Sequence, residues 1–325
     1  MKVFVTRCGS EPDAWRDHEE TLCGLWATSN RLHSLTKDPQ EADIIVITDL
    51  RQEDGYAQLK ANPLLRNYAD KCFAVFDGDF PNPLLRGIYT SISNRTWFSS
   101  RFRSGSYGLY HRDFKNPYIE NHPGMAYDME KSYLYCFAGR ISHPVRSTIL
   151  NLKPERPDII SIDTSGFNLF THDGVASRVK DQDWFGDILV KSKFSLCPRG
   201  AGTSSIRLFE TMKIGVAPVI LSDDWIFPKG PDWSEFSIVI KEKDADKLVE
   251  IVASHEPRFR EMGAAAQKAY EDYFSETAYF NYLIGQCAEI MAEQRVPESF
   301  FWKLRHGVVL VRKLRSSARV LLRRK

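Results

Sequence analysis

The stretch of residues 193–221 constrains the fold more than any other part of the chain, because its character changes three times. The apolar residues Phe194, Leu196 and Cys197 predict a β-strand at 193–197, and a loop with two glycines follows it. A helix then begins near Ser204, Gly215 ends it, and residues 217–221 predict the next strand. Strand, loop, helix and strand in this order are typical of α/β proteins with a parallel sheet.

The loop and the start of the helix also predict a binding site for an anion, most simply a phosphate. Backbone N–H groups at a helix N-terminus are free to donate, and the helix dipole favours negative charge there. Arg207 and Glu210 lie three residues apart and therefore on one face of the helix. The chain lacks both the dinucleotide-binding fingerprint and the P-loop motif at this place. A plain turn with an ordinary surface ion pair therefore stays open as the alternative.

The same stretch resembles the exostosin family of glycosyltransferases. Three blocks carry the resemblance, in family order, over roughly residues 70–280. The first combines Cys-Pro-Arg-Gly at 197–200, Ser-x-Arg-x-x-Glu at 205–210 and Gly-x-x-Pro-Val-Ile at 215–220. The second is Tyr-Cys-Phe-Ala-Gly-Arg at 135–140 with Arg146, and the third is the strand and turn at 73–81. The resemblance implies an enzyme that transfers a sugar.

The resemblance implies the GT-B architecture, in which two Rossmann-like α/β domains face each other across a cleft. The residues agree with it, because predicted strands alternate with helical stretches in both halves of the chain. The predicted strands are 3–6, 43–48, 72–76, 134–138, 193–197, 217–221 and 236–240, and helix dominates 245–294. We therefore expect an acceptor-side domain at 1–130, a nucleotide-sugar-binding domain at 131–295 and a basic amphipathic tail at 296–325.

By resemblance, the second domain holds the nucleotide-sugar donor. Arg199 and Arg207 would neutralise the diphosphate, whose charge grows as the sugar–phosphate bond breaks. Glu210 would accept hydrogen bonds from the ribose hydroxyls, and the hydroxyls that precede the helix would cap it and donate to phosphate. The predicted donor-binding residues are Gly139, Arg140, Arg146, Arg199, Gly200, Gly202, Thr203, Ser204, Ser205, Arg207 and Glu210.

An inverting transfer also needs a base, because the acceptor hydroxyl loses its proton as it attacks the sugar carbon. Asp77 and Asp79 follow an apolar strand, where a sheet presents side chains to a cleft. We expect Asp79 to act as the base and keep Asp77 as the second candidate. His111 and Asp113 are rivals for the role, and the Asp-Gly-Asp sequence can also be a plain turn.

The same Asp-x-Asp sequence raises an alternative mechanism that uses a metal. Two carboxylates so close together suit Mg²⁺ or Mn²⁺, which would bridge the donor phosphates. The predicted anion-binding loop lies in a different part of the chain, however, and its arginines can neutralise the same charge. We therefore expect no metal cofactor.

Residues 86–112 combine aromatic rings with five arginines and contain no acidic residue. Sugar rings stack on aromatic side chains, so this segment predicts an acceptor surface suited to an anionic glycan or a lipid-linked acceptor. The candidate acceptor-binding residues are Trp97, Arg101, Tyr107 and His111. The alternative is that these rings pack inside the fold, as most aromatic side chains do.

The formal charge of +2 conceals a strong asymmetry. Residues 301–325 contain nine Lys and Arg and no acidic residue, so the rest of the chain carries −7. Apolar residues alternate with these basic ones, which predicts attachment to an anionic membrane surface. A solvated tail, or one folded against the body, is the alternative. The acidic body argues against nucleic acid as a partner.

The six cysteines are scattered and form no C-x-x-C pair, which favours reduced thiols in a cytoplasm. No run of eighteen apolar residues and no signal-peptide pattern is present, so we expect a cytoplasmic protein, peripheral on the inner face of the membrane. The expected function is inverting glycosyl transfer in the synthesis of a cell-surface polysaccharide or glycolipid. The alternative is a catalytically silent scaffold that binds a nucleotide sugar or glycan at the membrane.

Overall fold

The chain folds around two separate parallel β-sheets, each covered by helices. The computed structural model describes residues 1–9, 17–51, 56–81, 83–94, 99–109, 115–166, 175–305 and 307. Residues 308–325, which make up most of the predicted basic tail, lie outside the described residues. In the part of the chain that is described, no helix is both long and apolar enough to cross a bilayer.

The first sheet contains the N-terminal strands. Its strands are β1 (Lys2–Arg7), β2 (Ser34–Leu35), β3 (Ile44–Thr48), β4 (Cys72–Phe76), β5 (Gly87–Tyr89) and β6 (Phe102–Arg103). They lie in the order β2-β1-β3-β4-β5-β6 and all pairs are parallel. Helices α1 (His18–Thr28), α2 (Ala57–Ala61) and α3 (Pro63–Asn67) connect them. Every residue of β3 is buried, as expected of a parallel strand with helices on both faces.

The second sheet follows it in the chain. Its strands are β7 (Tyr133–Gly139), β8 (Ile159–Asp163), β9 (Ser192–Pro198), β10 (Ala217–Leu221) and β11 (Ile238–Val239). They are parallel, in the order β11-β10-β9-β7-β8. The helices of this region are α4 (Pro117–Asn121), α5 (Pro144–Asn151), α6 (Val175–Val190), α7 (Ile206–Ile214), α8 (Trp233–Phe236), α9 (Leu248–Ser254) and α10 (Phe259–Tyr273).

The two parallel sheets confirm the predicted α/β fold of two facing units. The strands predicted at 72–76 and 217–221 agree residue for residue, and the other predicted strands agree to within two residues at each end. Four strands had no prediction, namely β2, β5, β6 and β8. Two of these contain only two residues, which is too short for an alternating pattern to show.

The last two helices return to the first sheet. They are α11 (Tyr279–Glu293) and α12 (Glu298–Lys303). Phe280, Leu283 and Cys287 of α11 are fully buried in an apolar cluster that also contains Ile88 of β5. The predicted unit 131–295 therefore differs from the structure at its end, because the apolar face of α11 covers the first sheet. We call the first sheet with α1–α3, α11 and α12 the first unit, and the second sheet with α4–α10 the second unit.

The chain also enters the second unit earlier than the predicted boundary near residue 130. Ile119 of α4 is buried in the same apolar cluster as Phe185 and Leu189 of α6. The side-chain amide of Asn116 donates to the backbone oxygen of Gln182 at 2.9 Å. The crossing therefore lies before α4, and the polar stretch near residue 130 is a connection within the second unit.

Gly215 ends α7 in the left-handed region, with φ = 82°. A Cβ at this position would lie 2.8 Å from both Gln267 Oε1 and Tyr127 Cδ1. We expect Gly215→Ala to lower the free energy of unfolding by about 1–2 kcal/mol from the backbone strain alone.

Gly24→Ala is the matched control, since Gly24 is exposed in the middle of α1 with open space around it. That change should stabilise by about 0.5–1 kcal/mol. Equal melting temperatures for the two variants would contradict the prediction.

Candidate active site

A cleft of about 730 Å³ lies between the two units, beside the carboxyl ends of β7 and β9. Open α/β sheets bind their ligands at this end of the strands. Asp79 and Tyr107 of the first unit line one side of it. The second unit supplies most of the other side, and its predicted site residues there are Gly139, Arg140, Arg146, Gly200, Ser204, Ser205, Arg207 and Glu210.

The N-terminus of α7 opens into this cleft. Ser205 is the N-cap residue and has an extended backbone, but its side chain makes no capping hydrogen bond. The predicted side-chain cap is therefore absent at Ser205. The first backbone N–H groups of α7 keep their capacity to donate to an anion in the cleft.

Two of the predicted phosphate-binding hydroxyl residues instead connect the two units. Thr203 Oγ1 donates to the backbone oxygen of Ile92 at 3.3 Å, and the backbone N–H of Ser204 donates to Ser91 Oγ at 3.4 Å. Thr203 is buried in this contact and does not line the cleft. Ser204 keeps its own hydroxyl at the cleft, where Oγ is buried and lacks a partner among the described residues. Ser204 therefore remains a candidate donor to a ligand.

Gly202 allows the two units to approach each other at this loop. A Cβ on Gly202 would lie 2.5 Å from Ser91 Oγ and 2.9 Å from Asp79 Oδ1. The glycine loop of the second unit is therefore in direct contact with the strand end that bears Asp79. This contact brings the predicted donor loop and the predicted base to one place.

The guanidinium of Arg207 is held in a fixed orientation. Its guanidinium lies 3.8 Å from the ring centroid of Phe185, and Nη1 donates to the backbone oxygen of Ala138. Its Nε is buried and has no hydrogen-bond partner in the described part of the chain. Stacking and one backbone contact fix the plane of the guanidinium, so that its remaining N–H groups can serve a ligand in the cleft.

Arg146 connects the two loops beside the cleft through hydrogen bonds to their backbone oxygens. It donates through Nε to the backbone oxygen of Arg199 at 2.9 Å and through Nη2 to that of Pro198 at 3.0 Å. A third bond, at 3.2 Å, joins Nη1 to the backbone oxygen of Arg140. Burial, with the nearby charge of Arg207, lowers the pKa of Arg146 to about 10, so the side chain stays charged at neutral pH. Arg140 is exposed at the cleft and makes no side-chain hydrogen bond or ion pair with the described residues.

Arg199 differs from the prediction. Its Nη1 lies 3.8 Å from a carboxylate oxygen of Asp224 and 3.8 Å from one of Glu242, and the residue does not line the cleft. Its charge is therefore compensated within the second unit. The prediction that it neutralises a diphosphate is not supported by this placement, and its visible contribution is the backbone oxygen that Arg146 binds.

Glu210 lines the cleft, one turn after Arg207 on α7, and its side chain is partly buried. Burial raises the pKa of the Glu210 carboxyl; the Arg207 charge opposes this shift and the Glu120 charge adds to it. Its carboxylate accepts no hydrogen bond from any described group. A buried carboxylate without a donor is an acceptor available to hydroxyl groups of a ligand.

The raised pKa of Glu210 predicts a pH-dependent cost to stability. The folded chain holds a proton that the unfolded chain has lost, so stability falls as pH rises above the ordinary Glu pKa of 4.5 toward the folded value. Without ligand, Glu210→Gln should therefore be more stable than the wild type at pH 7. The gap should shrink and vanish as pH falls below 4.5, where the wild-type carboxyl is protonated in both states. Melting temperatures across this pH range test it, with the exposed Glu235→Gln as control. A gap that stays constant with pH would contradict it.

Asp79 faces the cleft from the end of β4. The hydroxyl of Tyr107 donates to Asp79 Oδ1 at 2.7 Å and lies 2.9 Å from Ser91 Oγ. Burial and the Asp79 charge raise the pKa of Tyr107 well above its usual value, so the phenol stays protonated as a donor. A continuous chain of hydrogen bonds therefore runs from the Ser204 N–H through Ser91 and Tyr107 to Asp79.

Asp77 does not share this position. Its Oδ1 accepts a hydrogen bond from Thr90 Oγ1 at 3.3 Å, and Asp77 is not among the residues that line the cleft. The two carboxylates of the Asp-Gly-Asp sequence therefore do not converge on it. Within the described ranges, no three His, Cys, Asp or Glu side chains come together as a potential metal site.

The predicted acceptor surface is only partly in the cleft. Tyr107 lines it, but Arg101 does not. Arg101 is 4% exposed and pairs with the buried carboxylate of Glu298, because α12 returns to cover it. Arg101 is therefore a structural residue. Trp97 and His111, together with the rival base Asp113, lie outside the described residues.

Two aromatic residues of the cleft had no prediction. Phe185 supports Arg207, and its neighbour Trp184 lines the cleft while 40% of its surface is exposed. Both lie on α6, whose sequence carries no motif. The adjacent aromatic pair in an otherwise polar stretch was the one available signal.

Comparison with known proteins connects this site with a family. The family model of the Exostosin GT47 domain matches residues 94–255, which include β7, the glycine loop and α7. An Exostosin-1 homolog from Caenorhabditis elegans is 30% identical over 158 residues, covering 44% of this chain and 41% of that protein. A probable glucuronoxylan glucuronosyltransferase from Arabidopsis thaliana is 36% identical over 66 residues, covering 20% of this chain and 15% of its own. The chain thus matches less than half the length of these relatives.

Comparison with solved structures gives matches of low score and low sequence identity. WaaG, a glycosyltransferase involved in lipopolysaccharide biosynthesis, superposes with a TM-score of 0.40 at 12% identity, over 90% of this chain and 99% of its own. Alr3699/HepE from Anabaena, solved in complex with UDP, superposes with a TM-score of 0.36 at 10% identity, over 90% of this chain and 100% of its own.

Proposed function

Because this chain belongs to the exostosin-like family of glycosyltransferases, we propose that it transfers a sugar from a nucleotide-sugar donor to a hydroxyl of a glycan or glycolipid. One observation carries the proposal. The cleft places an oriented arginine at the N-terminal end of α7 and, on its other side, a carboxylate at the end of β4. A donor diphosphate fits the first feature, and deprotonation of an acceptor fits the second.

The donor would bind on the second unit. Its diphosphate would accept hydrogen bonds from Arg207, from Arg140 and from the free N–H groups of α7, while Ser204 Oγ adds a neutral donor. The Glu210 carboxylate would accept hydrogen bonds from the ribose hydroxyls, and these bonds would replace the water that burial removes from it. Arg146 would not touch the donor and would hold the loops that do.

The proposed transfer is a single displacement with inversion. The acceptor oxygen attacks the anomeric carbon while Asp79 takes its proton, and the bond from that carbon to the phosphate oxygen breaks with its electron pair on the leaving nucleoside diphosphate. Negative charge grows on the diphosphate beside Arg207 and Arg140, which stabilise it in the transition state. Tyr107 would hold the Asp79 carboxylate in place through its hydrogen bond.

We propose that this reaction needs no metal. Two observations support the proposal: arginines stand where a donor diphosphate would lie, and Asp77 hydrogen-bonds to Thr90 instead of joining Asp79 in the cleft. Arginine cations supply the same charge neutralisation that a divalent ion would supply.

The proposed setting is the surface of a membrane at which a cell-surface polysaccharide or glycolipid is built. The basic and apolar residues of 301–325 support attachment of the chain to anionic lipid from its cytoplasmic side. A lipid-linked or membrane-bound acceptor would then stay close to the cleft.

Thermal shift with a panel of nucleotide sugars and free nucleotides tests the donor site. The names of the relatives justify including UDP-glucuronic acid. A ligand at about one hundred times its Kd adds about 2.7 kcal/mol to the free energy of unfolding, enough for a clear shift of Tm. We expect one nucleotide class to raise Tm, with the shift lost in Arg207→Ala and kept in the exposed control Arg258→Ala.

The other outcomes of this experiment are equally informative. A shift that needs Mn²⁺ and disappears with EDTA would contradict the metal-independent mechanism and support a role for the Asp-Gly-Asp sequence. A full shift in Arg207→Ala would overturn the donor site as described. No shift with any nucleotide would contradict the transferase proposal and leave a scaffold as the better description.

A further inference from the structure

A second cavity, of about 410 Å³, lies on the first unit away from the active site. Its walls come from α2, α3, the turn Ala69–Lys71 and α12. Lys71 immediately precedes β4, whereas Asp77 immediately follows it. A strand of this length spans about 16 Å. The cavity therefore lies at the amino end of β4, and the active-site cleft lies at its carboxyl end.

The cavity is strongly basic. It is lined by five basic side chains and one acidic one; the basic residues are Lys60, Arg66, Lys71, Lys303 and Arg305, and the acidic one is Asp70. We call these basic residues and the cavity they line the basic groove. Asp70 is already engaged, since its Oδ1 accepts from the backbone N–H of Ser299 at 2.8 Å. Lys71 is also engaged, by the backbone oxygens of Gln40 and Ala42.

The other four cations have no acidic partner among the described residues. Lys60, Arg66 and Lys303 make no ion pair or side-chain hydrogen bond there. Arg305 donates through Nη1 to the backbone oxygen of Trp302 and stacks on its ring, while its buried Nε lacks a partner within the same ranges. Four uncompensated charges around one concave surface are complementary to phosphate groups.

Exposed apolar residues lie on the helix that forms one wall of the basic groove. Phe300 and Leu304 are each 52% exposed, and their spacing of four residues places them on one face of α12 and its final turn. A soluble phosphate compound would account for the cations but not for these apolar side chains beside them. The two together match a bilayer surface, which offers phosphate headgroups and, just beneath them, an apolar layer.

We propose that the basic groove binds the phosphate headgroups of an anionic membrane, with Phe300 and Leu304 inserted at the interface. The sequence after α12 continues with alternating basic and apolar residues, a composition that suits the same anionic membrane surface. The proposal deepens the membrane attachment proposed above and rests on it, because it assigns part of that attachment to the folded first unit. It does not depend on the transfer chemistry.

Co-sedimentation of the full-length chain with lipid vesicles tests the proposal. The vesicles are phosphatidylcholine alone or phosphatidylcholine mixed with phosphatidylglycerol. A basic residue at an anionic surface strengthens binding roughly 5-fold, so Lys60→Glu with Arg66→Glu should weaken binding to the mixed vesicles at least about 25-fold. The matched control is Lys153→Glu with Lys243→Glu, which changes the net charge equally on exposed positions of the second unit. We expect the control to bind within a few-fold of the wild type.

A second variant tests the apolar part. Phe300→Ser with Leu304→Ser leaves every basic residue in place and changes two side chains that are more than half exposed, so the fold should survive. We expect weaker binding to mixed vesicles even at high salt, where the electrostatic contribution is screened. Unchanged melting temperatures confirm that each variant is folded.

Three results would overturn the proposal, each in a different way. If the Lys60/Arg66 variant binds like the wild type, the tail alone holds the membrane and the groove does not. If the wild type ignores anionic vesicles, both the groove and the membrane attachment fail, while the thermal-shift result with nucleotides still stands. If inorganic diphosphate stabilises the wild type but not the Lys60/Arg66 variant, and vesicles do not bind, the groove serves a soluble anion.

Discussion

Asp79→Asn is expected to reduce turnover of the donor by about 10²–10⁴-fold while donor binding stays unchanged. The reason is the position of Asp79: it lines the cleft from the first unit, opposite the residues proposed to hold the diphosphate. Asparagine has nearly the same shape and keeps an oxygen that can accept from Tyr107, so the hydrogen bond at 2.7 Å can persist. What disappears is the capacity to take a proton from the acceptor hydroxyl.

Asp77→Asn is the matched control for this prediction. Asp77 belongs to the same Asp-Gly-Asp sequence but is hydrogen-bonded to Thr90 and does not line the cleft. We expect its turnover to stay within about 10-fold of the wild type, because its carboxylate does not reach the acceptor. The measurement is kcat with the nucleotide sugar found by thermal shift, alongside the Tm shift produced by the same donor in each variant.

Each contrary outcome points to a specific correction. If Asp79→Asn keeps its turnover, the base is another group, and His111 or Asp113 becomes the candidate. If both variants lose turnover equally and the wild type needs Mn²⁺, the two carboxylates act on a metal. If Asp79→Asn loses donor binding along with turnover, Asp79 supports the donor loop through its contact with Gly202.

The part of the site that the sequence predicted well is the part built from neighbours in the chain. The glycine loop and α7 are consecutive, so the spacing of Arg207 and Glu210 alone places both on one face of the helix. The buried strands β4 and β10 could also be predicted from the sequence, since each is an apolar run bounded by polar or turn residues. The pattern within one segment was sufficient to predict a strand or helix that this segment forms by itself.

The parts that the sequence could not show depend on partners far away in the chain. Arg101 and Arg103 looked like an acceptor surface because their own neighbourhood is free of acidic residues. Their partners, Glu298 and Glu293, lie 197 and 190 positions further on and reach them because α11 and α12 return to the first sheet. No local pattern specifies which sheet an amphipathic helix will cover, so the arginines could not be identified as structural.

Arg199 illustrates the same limit within a matched motif. Its position in Cys-Pro-Arg-Gly predicts a phosphate ligand, whereas its guanidinium lies between Asp224 and Glu242. Arg207, eight positions later in the same motif, is the one of these two arginines that lines the cleft. The motif therefore predicted a loop that does lie beside the cleft, but carboxylates from two other segments decide the direction of the Arg199 side chain.

Glu298→Gln is expected to lower the free energy of unfolding by about 3–5 kcal/mol, because it removes one partner of a buried ion pair. Glu298 is fully buried and accepts from Arg101 Nε at 3.0 Å, from the backbone N–H of Arg86 at 3.3 Å and from Gln294 Nε2 at 3.0 Å. Glutamine keeps the size of the side chain but leaves the Arg101 cation buried without a counter-charge. Burial lowers the pKa of Arg86, whereas the Glu298 charge raises it. The same substitution therefore also removes a compensating charge from a second buried cation.

Urea unfolding of the wild type and three variants measures this effect. The control is Glu289→Gln, which removes a half-exposed partner of Lys229 and should cost no more than about 1 kcal/mol. A double variant, Glu298→Leu with Arg101→Leu, separates the two causes of the loss. If the cost comes from the uncompensated charge of Arg101, removing both charges should recover most of the stability, because a buried ion pair and an apolar pair of similar volume are close in free energy. If the double variant is as unstable as Glu298→Gln, the contacts of Glu298 with Arg86 and Gln294 hold α12 on the first sheet, and the ion pair with Arg101 contributes little.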